Sequence, residues 1–379
     1  MQVRIFAALI PLVLVAGCKP GGTAKPAPKD APSLLADVQA KVNAAGKPDS
    51  TAEYDVRQPD GIEGLKAALK PYDAALDEAD GVLAFGQYGS ELAPAAVLVE
   101  TSSAMSPAHK AVGEYLVFLK NLAKLLVARA RLRFASAKSE DAIRDFEAAA
   151  RISKLTGQQP GSLLALLVHV GVQAIVTNAI HHVDQDTSPD APELRKLASI
   201  AAGMEDAPDW AAIINAEVAA GKRMPEASSA RGKKELSDFA RSLAIVKSTA
   251  SLAAIDQKFR AWVGEGSLPT NPQDLAKASA GLLVASCIEQ ELKGTANCRM
   301  TAAALEMLAA NEEKKGLPSS LPTKYKTSDP FDLAGGQLRY GVTKEGFIIS
   351  SPGGLKRFPA TPNLVSFTYP QKTYLKVKL

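Results

Sequence analysis

The residue types best suited to metal chemistry occur together in the hexapeptide HHVDQD, which contains His181, His182, Asp184 and Asp186. Imidazole nitrogens and carboxylate oxygens this close in sequence are able to bind a divalent cation. Adjacent side chains on a helix point about 100° apart, so the two histidines do not converge on one ion. A helix C-terminus that runs into an acidic loop explains the pattern better. The sequence predicts no metal site, with His181 and Asp184 as weak candidates.

A second pair of carboxylates, Asp329 and Asp332, brackets the turn sequence DPFD. Calcium takes about six to eight oxygen ligands, and these two side chains supply few of them. An aspartate that caps its own turn, with Pro330 fixing φ, is the favoured interpretation. Asp329 and Asp332 therefore remain weak candidates for calcium.

Two cysteines, Cys287 and Cys298, flank the helix-breaking sequence KGTAN. In an exported protein, two cysteines at a turn between helices indicate a disulfide. Two free buried thiols and a metal pair are the alternatives, although a lone pair lacks the paired spacing of a zinc site. We predict the Cys287–Cys298 disulfide.

No motif for nucleophilic catalysis, zinc hydrolysis, phosphate binding or dinucleotide binding occurs in the 379 residues. The sequence therefore predicts no catalytic residue and no cofactor. The net charge of +4 arises from 44 basic and 40 acidic residues that are well mixed. A nucleic-acid partner is not expected, because it would require a basic face.

The third cysteine, Cys18, ends an N-terminal segment with the features of an export signal. Arg4 precedes an apolar run over residues 5–15, and the quartet VAGC follows. The run is too short to span a bilayer comfortably. A plain export signal with an incidental cysteine is the alternative.

The quartet VAGC resembles the lipobox of bacterial lipoproteins. The resemblance implies that residues 1–17 are a cleaved signal peptide and that the Cys18 thiol receives a diacylglycerol. Several acyl chains would hold the protein permanently at the membrane, because each buried methylene contributes about 0.8 kcal/mol. Lys19 after the cysteine implies the outer membrane, facing the periplasm or the cell surface. Residues 18–33 are rich in Pro, Gly, Ala and Lys, which predicts a flexible linker.

Residues 34–298 have mostly helical periodicity and form the predicted helical domain. We expect helices at 34–46, 61–81 with a kink at Pro71, 109–137, 139–157, 161–184, 190–205, 208–221, 231–263 and 272–293. The stretch 161–184 is long and apolar enough to raise the question of a membrane span. Its histidine, glutamine and asparagine side chains favour a buried core helix.

The segments 109–137 and 139–157 resemble a tetratricopeptide helix pair. Ala130, Ala142, Phe146 and Ala149 occupy the small and aromatic positions of that repeat. The chain departs from the pattern at Arg129, where the repeat has leucine, and no second copy follows at a fixed period. The body is therefore expected to be built of helical hairpins, either as a solenoid of true repeats or as unrelated Ala-rich hairpins.

Residues 299–379 are expected to form a helix followed by a small antiparallel sheet. Alternating stretches at 337–342 and 346–350 predict one hairpin, and those at 364–369 and 373–379 predict a second. The order of this helix, the DPF turn, Tyr340 and the SPG turn resembles the periplasmic module of pseudopilin-like proteins, which also ends uncharacterised lipoproteins with helical bodies. Some pseudopilins bind calcium in this region. The assembly helix of that family has no counterpart here, so pilus assembly is not implied.

Taken together, the sequence predicts a mainly α fold, with a helical-hairpin body and a small α+β C-terminal module. The predicted function is that of a lipid-anchored envelope protein that acts as a scaffold or assembly factor for other envelope proteins. Two alternatives stay open. One is an envelope hydrolase, in which His169 or His181 would lie in a pocket beside carboxylates. The other is a lipoprotein that holds a hydrophobic ligand between helices.

Overall fold

The computed structural model describes residues 31–46, 54–84, 107–158, 163–205, 208–222, 225–249, 251–264, 279–314, 316–344, 346–357 and 366–370. The α-helices before the sheet are α1 (Ala31–Ala45), α2 (Pro59–Leu69), α3 (Asp73–Ala84), α4 (Pro107–Ala135), α5 (Ser139–Gln158), α6 (Leu163–Thr187), α7 (Ala191–Gly203), α8 (Trp210–Gly221), α9 (Ala230–Lys247), α10 (Leu252–Val263) and α11 (Ala280–Lys314). Strands β1 (Arg339–Thr343) and β2 (Gly346–Ser350), helix α12 (Pro352–Arg357) and strand β3 (Ser366–Pro370) follow. The predicted fold class, mainly α with a small α+β module at the C-terminal end, is confirmed.

Short polar side chains fix several helix starts. Asp190 and Glu193 form a reciprocal capping box at α7, and Asp209 accepts from the Ala212 N–H at α8. The predicted kink at Pro71 is confirmed, since a single 3₁₀ turn over Lys70–Tyr72 separates α2 from α3. Proline lacks the N–H that a continuous α-helix needs at this position.

Helices α4, α5, α6, α7 and α11 pack together and contribute most of the larger hydrophobic core. Helix α6 lies between α4, α5 and α11, and its segment Leu163–His181 is long and apolar enough to cross a membrane. Of that segment, 67% is buried inside the protein. This packing is that of a core helix, as its polar side chains suggest.

A second, smaller core lies where α8, α9 and α10 pack against the first part of α11 and the start of α6. Helix α11 connects the two cores, because its residues up to Leu292 line the smaller core and those from Ala296 line the larger one. The predicted boundary between residues 298 and 299 therefore falls inside this helix.

The strands form an antiparallel sheet in the order β1–β2–β3, with Thr343 opposite Gly346 and Phe347 opposite Tyr369. Phe347, Ile349 and Tyr369 have at most 1% of their surface exposed and belong to the larger core. The first predicted hairpin is confirmed. Strand β3 corresponds to the first strand of the second predicted hairpin, and residues 373–379 lie outside the described residues.

Two predicted helix boundaries are wrong. The predicted helix 231–263 is divided, because the Ser248 and Thr249 hydroxyls bond to the Ile245 carbonyl and end α9. Ser251 then caps α10 through the Ala254 N–H. The predicted break at KGTAN does not occur, and α11 continues through Gly294. A Cβ on Gly294 would lie 2.2 Å from Gln173 Oε1, so this glycine permits the close approach of α6.

Candidate functional site

The two buried cysteines do not form the predicted disulfide. Cys287 and Cys298 are both free thiols on helix α11. Eleven residues of one α-helix separate their Cα atoms by about 16 Å, whereas a disulfide needs about 4.4–6.8 Å. Burial raises the pKa of both thiols well above the ordinary range. Both side chains therefore remain protonated and pack as small apolar groups.

The weak metal candidates lie in different surroundings. The His181 ring is stacked at 5.8 Å on Phe367 and contacts the edge of Tyr369 at 4.9 Å, so it joins α6 to β3. The Asp184 side chain and Cys18 lie outside the described part of the chain. Within the described ranges, no three His, Cys, Asp or Glu side chains are grouped in a way that could hold a metal ion.

Asp329 ties the DPFD turn to the start of α12. Its carboxylate accepts from the Ser351 hydroxyl at 2.6 Å, the Gly353 N–H at 2.7 Å and the Phe331 N–H at 3.0 Å. Asp332 accepts from the Ala334 N–H at 2.9 Å and caps the next turn. Donors of the protein thus surround Asp329, which is 3% exposed. Both carboxylates act in the turn role that the sequence favours.

A polar cluster at the centre of the larger core contains the residue types of a hydrolase. Ser153 on α5, His169 and Gln173 on α6, and Glu291 on α11 have between 0% and 1% of their surface exposed. His169 Nδ1 lies 2.8 Å from the Ser153 carbonyl oxygen and 3.1 Å from its hydroxyl. His169 Nε2 lies 3.0 Å from Gln173 Nε2 and 3.9 Å from Glu291 Oε2.

The hydrogen-bond network assigns the tautomer of His169. Because a carbonyl oxygen only accepts, Nδ1 carries the proton and donates it to Ser153 O. Nε2 then accepts from the Gln173 amide, whose other N–H donates to the Met204 carbonyl at 2.8 Å. The Ser153 hydroxyl therefore faces the protonated ring nitrogen, which cannot take its proton. Nucleophile activation needs the opposite arrangement, so this cluster joins helices rather than activating Ser153.

Two glycines make room for the cluster. A Cβ on Gly157 would lie 2.5 Å from His169 Nδ1, and one on Gly294 would lie 2.2 Å from Gln173 Oε1. The sequence identifies His169 as a residue of interest, but it does not identify Ser153 or Glu291 as its neighbours. The signal that points to these contacts is a glycine inside a strongly helical segment, which usually has a packing reason.

A buried carboxyl group, Glu217, caps the start of α6 from helix α8. It accepts the Leu163 N–H at 2.9 Å through Oε1 and has no exposed surface. Its Oε2 has no hydrogen-bond partner among the described residues. Burial raises the pKa of Glu217 to about 8, and the hydrogen bond from Leu163 only partly opposes this effect. Glu217 is therefore mostly protonated in the folded protein at neutral pH.

A buried ion network joins α3, α4 and α5. The Arg129 side chain is 6% exposed and donates to Asp145 at 2.6 Å, to Asp77 at 2.7 Å and to Asp80 at 2.7 Å. Burial raises the pKa of Asp145 to about 6, in spite of the hydrogen bond from Arg129. Arg129, at which the chain departs from the tetratricopeptide pattern, thus holds a third helix, α3, against the α4–α5 hairpin.

Two further arginines tie the C-terminal module to the helical body. Arg357 of α12 contacts Asp256 of α10 at 2.6 Å and Glu289 of α11 at 3.2 Å. Arg299 of α11 donates to the Ser328 carbonyl at 2.7 Å and to Glu205 at 3.0 Å. Arg357 binds both carboxylate oxygens of Asp256, and Arg299 binds both of Glu205, which is the two-point geometry in which arginine binds carboxylates best.

Comparisons with family models, with curated proteins and with solved structures each found no match.

Proposed function

We propose that this chain is a lipid-anchored protein of a bacterial envelope whose helical body acts as a scaffold for other envelope proteins. The observation that carries the anchor is the sequence VAGC after a charged residue and an apolar run. Lipid on Cys18 would fix the chain to a membrane, and residues 19–30, which precede α1, would hold the body away from it.

The scaffold role rests on how the described body uses its buried polar groups. Arg129, His169 and Asp329 each bind groups from other elements of the chain, and these contacts cross-link helices and turns. Such ties favour one fixed shape, and a fixed shape lowers the entropic cost of binding a partner. The tautomer of His169 gives no support to the hydrolase alternative at this cluster.

Two finer parts of the proposal concern the architecture. Ala130, Ala142, Phe146 and Ala149 are fully buried, and α4 packs against α5, as a tetratricopeptide-like pair would require. The contacts of Asp329 with the SPGG turn support the pseudopilin-like description of the C-terminal module. We propose both as structural likenesses, with no assembly function attached to either.

Metabolic labelling with a palmitate analogue tests the anchor. We expect label on the parent chain and on Cys287→Ser, whose buried thiol lies on α11, and loss of label in Cys18→Ala. Label that persists in Cys18→Ala would contradict the proposed placement.

The scaffold role is tested by crosslinking intact envelopes that contain the full-length chain and then purifying it. We expect the same partner protein to be recovered in repeated preparations, and to be lost from preparations of Cys18→Ala if anchoring brings the two together. Recovery of no partner under several crosslinking conditions, together with a measured turnover of envelope material, would refute the scaffold role.

A further inference from the structure

The edge strand β1 leaves the apolar side chain of Val342 exposed to water on the face of the sheet that elsewhere packs against the core. Val342 is 61% exposed, yet it pairs with Phe347, which is 1% exposed and belongs to the larger core. Tyr340 pairs with the fully buried Ile349 on the same face, because alternate residues of a strand share a face. The core-facing side of the sheet thus extends past the body at Val342.

Among the described residues, none bonds to the outward backbone groups of β1 at the same place. Thr343 and Gly346 close a two-residue turn, so residues 339, 341 and 343 direct their N–H and C=O groups to β2. Residues of even number point to the outer edge, as the Leu338 N–H shows by donating to the Thr327 carbonyl at 2.7 Å. Residues 327–329 cover the edge only as far as Leu338. Tyr340 and Val342 form the part of the edge beyond this cover.

Gly341 lies between these two residues, and the described part of the chain gives no packing reason for a glycine there. Its φ is not in the left-handed region, and a Cβ built on it meets nothing within 4 Å. Neither backbone conformation nor crowding therefore calls for glycine. Glycine within a strand often marks the close approach of another backbone.

We propose that β1 of a second copy of this chain pairs with β1 in an antiparallel manner, about a two-fold axis at Gly341. Tyr340 of each copy then lies opposite Val342 of the second copy, and these residues exchange their outward N–H and C=O groups. The strand is self-complementary in this register, because an aromatic residue meets a β-branched one on both sides of the axis. Arg339 meets Thr343 of the second copy, so no like charges are directly opposed.

Because the contact is small, the strand pairing depends on the membrane anchor of the proposed function for its affinity. A pair of five-residue strands buries far less than the roughly 800 Å² per partner of a standard interface. Pairing is therefore weak in dilute solution. Confinement of anchored copies to one membrane raises their effective concentration, and the contact then forms without further surface.

A cysteine pair placed at the axis tests the register. In Gly341→Cys the two Cα atoms would lie about 4.5 Å apart, within the range of a disulfide. In the matched control Arg339→Cys, which is exposed on the same face, they would lie about 14 Å apart. We expect non-reducing gels of cells that make the anchored chain to show roughly tenfold more disulfide dimer for Gly341→Cys than for Arg339→Cys.

A second variant separates pairing from accidental oxidation. Val342→Lys in the Gly341→Cys background places a charge opposite Tyr340 of the second copy and should reduce the dimer severalfold. Because Val342 is exposed, its replacement by lysine should not unfold the protein, so unfolding does not explain a reduced amount of dimer. Equal dimer in Gly341→Cys and Arg339→Cys would overturn the proposal, and so would a mixed disulfide with another protein at position 341. Loss of dimer only in Cys18→Ala would support anchoring as its source of strength. Palmitate label on Cys18 without any dimer would refute the pairing and leave the anchor intact.

Discussion

Replacement of Glu217 by glutamine should abolish a loss of stability that the wild-type protein suffers as the pH rises. The folded pKa of Glu217, about 8, lies above its ordinary value of 4.5. Its contribution to stability is therefore complete below pH 4.5 and is lost as the pH rises towards 8. Between pH 4.5 and pH 7, the unfolded carboxyl ionises while the folded one stays protonated. At about 1.36 kcal/mol per pH unit, this difference in ionisation lowers the free energy of unfolding of the wild type by about 3 kcal/mol.

Glutamine keeps the oxygen that accepts the Leu163 N–H and remains neutral at every pH. We expect equal free energies of unfolding for wild type and Glu217→Gln at pH 4.5, and an advantage of about 3 kcal/mol for the variant at pH 7. Urea unfolding followed by circular dichroism at several pH values measures both. Asp145 titrates in both proteins, so its contribution cancels in the difference.

The exposed Glu63 of α2 supplies the control, because Glu63→Gln removes one carboxyl group from the surface. The Glu63→Gln difference from wild type, measured over the same pH range, shows how much pH dependence the loss of an exposed carboxyl group produces. A difference between Glu217→Gln and wild type that is also constant with pH would show that Glu217 ionises normally. The burial argument would then be refuted.

Three further predictions follow from contacts in the core and in the C-terminal module. Gly294→Ala should destabilise the protein, since the new Cβ would overlap Gln173 Oε1, whereas Gly171→Ala on α6, with nothing within 4 Å, should stabilise it by up to about 1 kcal/mol in urea unfolding. Arg129→Met should lower the free energy of unfolding by about 3–5 kcal/mol, because it leaves Asp145 buried without its main partner. The double variant Arg129→Met/Asp145→Leu should recover much of that loss, as measured by calorimetry. Asp329→Ala should lower the free energy of unfolding by about 2–3 kcal/mol and raise the rate of amide exchange at Gly353. Asp332→Ala removes the acceptor of one hydrogen bond and should lower it by about 1 kcal/mol. Equal effects of the two variants would contradict the assigned contacts.

Local sequence predicted most of the helices and the first hairpin. The apolar spacing of the segments 109–137 and 139–157 predicts helices that begin and end within two residues of α4 and α5. Alternation in 337–342 and 346–350 places β1 and β2 in the same way. These signals are readable because helix and strand periodicity depends on neighbours close in the chain.

The errors arose where distant residues decide the outcome. Gly294 reads as a helix breaker, but the approach of Gln173 from α6 gives it a packing role inside α11. The same continuity separates Cys287 from Cys298 and prevents their disulfide. The Ser248–Ser251 stretch ends one helix and starts another through hydroxyl contacts with the backbone, which a hydrophobic pattern does not reveal.

The sequence by itself determined the secondary structure class, the VAGC motif and the turn role of Asp329, because each depends on residues a few positions apart. Only the tertiary structure decided that His169 carries its proton on Nδ1, that Glu217 is buried at the start of α6, and that Val342 lies uncovered at a sheet edge. Those properties depend on which distant groups exclude water from a side chain or bond to it. The ionisation and exposure of a residue follow from that environment, which amino-acid type and spacing do not specify.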